Sequence, residues 1–151
     1  RNYKEGKKMK KVLIINGPNL NLLGEREKNI YGNKTIKDIE KECKKESKKN
    51  NIDTTFFQSN SESEIIEKIQ NSREFNGLII NAGAFTHTSI AIHDSLKILK
   101  IPIIEVHISN IYKREDFRKN SFVSSTASGI IVGFGTDVYL IALNSITYLL
   151  K

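Results

Sequence analysis

The sequence predicts an open, doubly wound α/β fold: a five-stranded parallel sheet with helices on both faces. Three observations carry this. Five short runs rich in Ile, Val, Leu or Phe recur along the chain without polar alternation, as expected of strands covered on both sides. Helix-like stretches separate the runs, and a parallel pair of strands needs such a crossover. All of this fits in about 140 of the 151 residues, whereas a closed eightfold barrel needs ~250.

The runs are residues 12–15, 54–57, 78–80, 103–106 and 130–132. Between the first two, Thr35 and Asp38 sit at capping-box spacing, and Ile36, Ile39 and Cys43 follow at helical spacing with lysines and glutamates opposite. Ser61 and Glu64 repeat the cap ahead of Ile65, Ile66 and Ile69. Residues 90–99 supply a third helix ended by Pro102, residues 113–119 a short fourth, and residues 138–150 a long, almost wholly apolar fifth. Five strand–helix units in this order suit a flavodoxin-like sheet. The connection from Asn16 to Lys34 is 19 residues long, against ~2–6 for ordinary strand-to-helix loops. It holds Gly17, Pro18, Asn19, Arg26, Tyr31 and Gly32 and reads as a lid.

Charge says little about partners. The chain carries 24 Lys plus Arg against 17 Asp plus Glu, a net +7. Residues 1–11 hold six of the basic groups and a single acid, so the remaining 140 residues net only +2. The basic character describes a tail rather than a nucleic-acid-binding face. If the tail did bind nucleic acid, deleting residues 1–8 would remove function. Cys43 stands alone, which excludes an intramolecular disulfide and makes a reducing, cytoplasmic setting the expectation. No apolar run approaches the ~18 residues of a membrane span, so no membrane is expected as a partner. The run at 12–15 is also far shorter than the ~7–15-residue apolar region of a secretory signal. Met9 resembles a natural start. Residues 1–8 are therefore read as a disordered N-terminal extension or as residues left by cloning, and residues 9–151 as a single domain.

Polar residues gather at one end of the predicted sheet. Asn16 and Asn19 follow the first strand, Gln58, Ser59 and Asn60 the second, and Asn81 with His87 the third. Glu105 and His107 end the fourth, with Ser109 and Asn110 next, and Gly133 and Gly135 follow the fifth. Ligands of open α/β sheets bind beyond the carboxyl ends of the strands, and chance would scatter such residues over both ends. The chain has no G-x-x-x-x-G-K-[ST] phosphate loop and no G-x-G-x-x-G after the first strand. Gly133-Phe134-Gly135 reads as a tight strand-to-helix turn. A phosphoryl-accepting receiver would want carboxylates where Asn16 and Asn81 stand. His87, His93 and His107 lack short metal-ligand spacing and no Cys pair exists, so no metal is expected.

What remains is a proton-transfer set. Glu105 and His107 are two apart on a strand and leave it on the same face. A carboxylate beside an imidazole fixes its tautomer and raises its basicity, which suits a general acid; the same pair also reads as a buried ion pair at a strand end. Tyr31 is a feeble base as a neutral phenol, and nearby guanidinium groups favour the phenolate. Arg26 lies on the same loop, and Arg114 and Arg118 stand four apart on one face of the short fourth helix. Taken singly, each arginine reads as a surface charge. His93, within a helix, reads as structural.

These motifs are recognisable together. The segment Ile15-Asn16-Gly17-Pro18-Asn19-Leu20-Asn21-Leu22-Leu23-Gly24, then Arg26-Glu27 and Tyr31-Gly32, closely resembles the N-terminal signature of type II 3-dehydroquinate dehydratases. Asn81-Ala82-Gly83-Ala84-Phe85-Thr86-His87-Thr88-Ser89, Glu105-Val106-His107-Ile108-Ser109-Asn110 and Arg114-Glu115-Asp116-Phe117-Arg118 extend the resemblance in the family's order, from about Lys11 to Leu150.

The resemblance implies dehydration of 3-dehydroquinate to 3-dehydroshikimate in the shikimate pathway or in quinate breakdown. It implies anti elimination through an enolate, with no cofactor, metal or Schiff base. Tyr31 would remove the proton alpha to the ketone and Arg26 would hold Tyr31 ionised. Asn19 would position a water against the enolate oxygen, and His107, oriented by Glu105, would protonate the departing hydroxyl. Asn81 with the N–H groups of Ile108 and Ser109 would hold the substrate carboxylate. His87 and Arg118 would bind ring hydroxyls, and Arg114 would help close the lid. The resemblance further implies trimers assembled into a dodecamer, with Asp94 reaching into a neighbouring subunit's site and a largely buried final helix.

Several positions depart from the family's usual pattern: Lys28 for Pro, Ser61 and Ser63 for His and Gly, His93 for Arg, Asn120 for His and Val138 for Gly. They bear on the lid and on subunit contacts rather than on the chemistry. The alternative is a non-catalytic flavodoxin-like small-molecule-binding module. Absence of Tyr31, Arg26 or His107 would favour it, and all three are present.

Overall fold

A computed structural model describes residues 8–150. The expectation for residues 1–8 therefore lies outside the described residues except at Lys8, which is exposed. Five parallel strands, β1 (Lys10–Asn16), β2 (Ile52–Gln58), β3 (Gly77–Asn81), β4 (Ile103–His107) and β5 (Gly129–Val132), form one sheet in the order β2-β1-β3-β4-β5. Each begins or ends a residue or two beyond its apolar run, because ladder pairing uses backbone groups and tolerates polar ends such as Asn16 and Asn81. The expected flavodoxin-like α/β fold is the observed one.

Four longer helices flank the sheet: α2 (Ile36–Lys49), α3 (Glu62–Gln70), α4 (Ile90–Ile98) and α5 (Val138–Ile146); a four-residue α1 (Lys28–Tyr31) precedes them. Alternation along β1 divides the core. Val12 and Ile14 pack with Ile39 and Cys43 of α2 and with Leu143 and Ile146 of α5. Leu13 and Ile15 pack with Ile65 and Ile69 of α3 and with Ile92 and Leu96 of α4. Each such side chain contributes about 1.5–3 kcal/mol on burial. At α2 the capping box closes: the Asp38 N–H donates to Thr35 Oγ1 and the Thr35 N–H to the Asp38 carboxylate. Such a cap is worth about 1 kcal/mol. At α3 only half of it forms. The Glu64 N–H donates to Ser61 Oγ, but the Glu64 carboxylate accepts from Ser59 Oγ instead of reaching back.

The helix expected over residues 113–119 is replaced by two 3-10 turns, Ile111–Lys113 and Asp116–Arg118, with extended backbone at Arg114 and Glu115. Asn110 accepts the Tyr112 N–H on its side chain and starts a turn two residues early. Seven residues without an apolar stripe cannot offset the cost of nucleating an α-helix. The last helix also stops early: α5 ends at Ile146, and i→i+3 bonds from Tyr148 and Leu149 tighten the chain beyond it. It is only partly buried in this chain. Val138, Tyr139, Ala142, Leu143 and Ile146 face the core, whereas Asn144 is exposed, as is Tyr148 beyond the helix end.

The β1 and β3 ends lie side by side, with Asn16 paired to Asn81. The chain leaves β1 toward α2 on one face of the sheet and β3 toward α4 on the other, so a crevice opens at this point. Gly17 is required there: a Cβ would stand 2.3 Å from the Ala82 carbonyl oxygen. The long connection after β1 is anchored at its root by buried Leu20 and Leu23, while Glu25 and Glu27 near its tip are exposed.

Candidate active site

The crevice is a cavity at the carboxyl ends of β1, β3 and β4. Asn19, Arg26 and Tyr31 line it from the long loop, Asn81 and His87 from β3 and the turn after it. His107, Ile108 and Ser109 close it at the end of β4, and Arg114 and Arg118 come from the two 3-10 turns. Ten of the twelve residues singled out in the sequence thus meet in one space, joined by Leu20, Leu23 and Ile111, which form its apolar floor. Glu105 sits behind His107 and is 1% exposed. Asp94 is exposed on α4 and does not line the cavity of its own chain.

Tyr31 is held between two arginines. Arg114 Nη1 donates to its hydroxyl oxygen at 2.8 Å and to Ser109 Oγ at 3.3 Å. Arg26 lies over the ring face, 4.7 Å from the centroid, with Glu27 at 3.2 Å as its ion-pair partner. Arg114 and Arg118 share Glu115, at 3.7 and 2.9 Å. The break between the 3-10 turns therefore does not separate the two guanidinium groups, which both still reach the cavity.

His107 Nε2 meets Glu105 Oε2 at 2.5 Å. The carboxylate also accepts from Ser121 Oγ at 2.8 Å and from Ser124 Oγ at 2.5 Å. Burial, the largest single influence, pushes the Glu105 carboxyl up, but the His107 hydrogen bond and charge and the two serine hydroxyls together outweigh it. The net effect holds it below the ordinary carboxylate value. An ionised carboxylate on Nε2 leaves Nδ1 as the ring nitrogen for the cavity. The neighbouring His87 stacks on His107 with ring centroids 6.3 Å apart. Its Nδ1–H donates to the Asn120 carbonyl at 2.7 Å, which leaves Nε2 as an acceptor. Burial lowers its pKa, the Asn120 bond opposes this, and the charges of His107 and Arg118 add to the fall. His87 is accordingly a neutral partner, able to accept from a hydroxyl.

Asn19 adopts a left-handed backbone (φ 68°), a conformation Asn tolerates better than most residues, and its N–H donates to Asn60 Oδ1 at 3.0 Å. His93, read as structural, sits on α4 with Nδ1 bonded to the Phe122 carbonyl at 2.7 Å. Sequence reasoning missed Ser121, Ser124 and Tyr139, whereas Asn60 is among the polar residues expected at this end of the sheet. The serines lie in a Ser/Thr-rich stretch that resembles any surface loop, and Tyr139 sits in an apolar helix where a hydroxyl is easily overlooked. Among the described residues no group of His, Cys, Asp and Glu is arranged to hold a metal ion, and no helix is long and apolar enough to cross a membrane.

Comparison with known proteins identifies the family. Residues 10–147 match the family described as Dehydroquinase class II. The 3-dehydroquinate dehydratase of Prochlorococcus marinus (strain MIT 9301) is 58% identical over 139 residues, covering 91% of this chain and 95% of the relative. That of Caldicellulosiruptor saccharolyticus is 52% identical over 144 residues, covering 94% and 99%. Among solved structures, the type II dehydroquinase of Butyrivibrio crossotus superposes with a TM-score of 0.89 at 45% identity, covering 91% of this chain and 97% of that one. The type II dehydroquinase of Propionibacterium acnes gives 0.90 at 38% identity, covering 94% and 99%. The chain, with its cavity at the β1/β3 crevice, belongs to the class II dehydroquinase family of hydro-lyases.

Proposed function

We propose that this chain dehydrates 3-dehydroquinate to 3-dehydroshikimate by anti elimination through an enolate, without cofactor or metal. The observation that carries the mechanism is the convergence of Tyr31, capped by Arg114, and His107, backed by Glu105, on one cavity. Tyr31, as phenolate, takes the proton alpha to the ketone. The electron pair moves to the carbonyl oxygen, where a water held by Asn19 and the fixed dipoles around it stabilise the enolate. Collapse of the enolate expels the hydroxyl on the opposite side of the ring, and His107 gives it a proton so that water leaves. The turnover ends with Tyr31 protonated and His107 neutral, and solvent restores both.

Substrate binding falls to the remaining groups. Asn81 and the N–H groups of Ile108 and Ser109 take the carboxylate, and His87 and Arg118 take ring hydroxyls. Arg26 and Arg114 supply positive charge over Tyr31, and closure of the 16–34 loop excludes water. No lysine lines the cavity among the described residues, which supports elimination without a Schiff base. On this reading residues 9–151 act as one cytoplasmic domain, in trimers assembled into a dodecamer, with Asp94 contributing to a neighbour's site.

The test is direct. Purified protein given 3-dehydroquinate should develop the ultraviolet absorbance of the conjugated enone product. Borohydride added with substrate should leave it active. Binding without any absorbance change would move the assignment to a non-catalytic binding module, and covalent trapping would move it to Schiff-base chemistry.

A further inference from the structure

A chain of hydrogen bonds runs from the backbone of β2 to the cavity through buried groups. Asn16 Nδ2 donates to the Phe57 carbonyl at 3.3 Å, and Tyr139 Oη donates to Asn16 Oδ1 at 2.5 Å. Asn81 Nδ2 donates to Tyr139 Oη at 3.0 Å, and the Gly83 N–H donates to Asn81 Oδ1 at 3.2 Å. Asn16 and Tyr139 are fully buried, and Asn81 is 4% exposed.

The direction of this chain is not free. A carbonyl only accepts and a backbone N–H only donates. Phe57 therefore demands the nitrogen of the Asn16 amide, which turns the Asn16 oxygen toward Tyr139. The phenol has one hydrogen, and that hydrogen goes to Asn16. Its oxygen can then only accept, so Asn81 must offer its nitrogen there and its oxygen to Gly83. Burial pushes the Tyr139 hydroxyl up from its ordinary value, which keeps that hydrogen in place. Reversing any member would set two donors or two acceptors face to face among buried groups. The Asn81 amide has two hydrogens, and one is used on Tyr139. The second is what Asn81 can offer to the cavity it lines.

We propose that Tyr139 and Asn16 are positioning residues that lock Asn81 as a hydrogen-bond donor, so that the site selects an acceptor-only group, the substrate carboxylate, at that point. The inference rests on the reading of Asn81 as a carboxylate contact. It also accounts for the hydroxyl of Tyr139 on the core-facing side of α5, beside Val138, Ala142 and Leu143. Phe would fill the same space but leave Asn16 held only by the Phe57 carbonyl and Asn81 only by the Gly83 N–H, each amide with one fixing contact in place of two.

A double-mutant cycle tests the proposal. Tyr139→Phe should raise KM for 3-dehydroquinate about ten- to hundred-fold, with a much smaller change in kcat. In an Asn81→Ala background the same substitution should leave KM unchanged, because the group it orients is gone. A KM within about twofold of wild type, or an equal rise in both backgrounds, would reduce Tyr139 to a packing role and overturn the proposal. If Tyr139→Phe does not fold, Asn16→Ala carries the same cycle, since it removes the acceptor and lets the phenol reverse. The side-chain amide resonances of Asn81 give a readout without substrate. They should be protected from hydrogen exchange in the wild type and lose that protection in Tyr139→Phe; unchanged protection overturns the lock even if 3-dehydroquinate proves to be the wrong substrate.

Discussion

Arg114 donates a hydrogen bond to the Tyr31 hydroxyl at 2.8 Å across 83 residues of sequence. The family resemblance gives the task of holding Tyr31 ionised to Arg26, its near neighbour on the loop. In the fold Arg26 covers the ring face, and Arg114 alone of the two points an N–H at the oxygen. A guanidinium donor aimed at an oxygen that is to carry negative charge stabilises it more strongly than one over the ring, because it makes a charge-assisted hydrogen bond to that atom.

Arg114→Ala should therefore lower kcat by about 10²-fold or more, on the scale of losing one preorganised donor. Arg114→Lys should recover only part of this, since a point charge replaces a planar fork. Steady-state kinetics of the two variants beside Arg26→Ala decide the matter. A larger loss from Arg26→Ala than from Arg114→Ala would return the leading role to Arg26.

On the proposed mechanism, Tyr31→Phe deletes the proton acceptor and keeps the ring beneath Arg26. Turnover should fall at least about 10²–10⁴-fold, the usual contribution of a positioned base. Substrate affinity measured by calorimetry should stay within about tenfold and the melting temperature should hold. Substantial residual turnover would mean that another group takes the proton.

Glu105 links the site to acid stability. Its carboxyl is held below its ordinary value of 4.5, so the folded state binds that proton less readily than the unfolded chain. The resulting stabilisation is present above the ordinary value and is lost as pH falls through the lower, folded one. Glu105→Gln should cost about 1–3 kcal/mol near neutral pH, and the gap from wild type should narrow as pH falls below the ordinary value of 4.5. Urea unfolding across that range gives the comparison, and a gap that stays constant would show that the carboxylate charge contributes nothing.

Cys43 is fully buried beneath α2, and that burial pushes its thiol up to about 12. The reactive thiolate is scarce at neutral pH and also inaccessible. Iodoacetamide should label the native protein at least about 10³-fold more slowly than the urea-unfolded chain, with labelling tracking global opening. Rapid labelling of the folded protein would mean that α2 opens locally.

The amino-acid sequence by itself determined the strands, the helix caps and the end of the sheet that carries the site. Those features are written in short stretches: an unbroken apolar run, a Thr35 and Asp38 three residues apart, a cluster of Asn and His where each run stops. Such patterns act through backbone geometry and local hydrogen bonds, which adjacent residues decide. Residues 113–119 misled because a charge-rich segment can satisfy helical spacing while its Asn110 side chain offers the backbone a tighter turn. Only the tertiary structure decided which arginine meets Tyr31, which serines hold Glu105, and that Tyr139 spans 58 residues to Asn81 and 123 to Asn16. These partners meet because the sheet order brings β1 and β3 together with α5 beside them, and hydrogen-bond direction is settled only once every neighbouring donor and acceptor is in place.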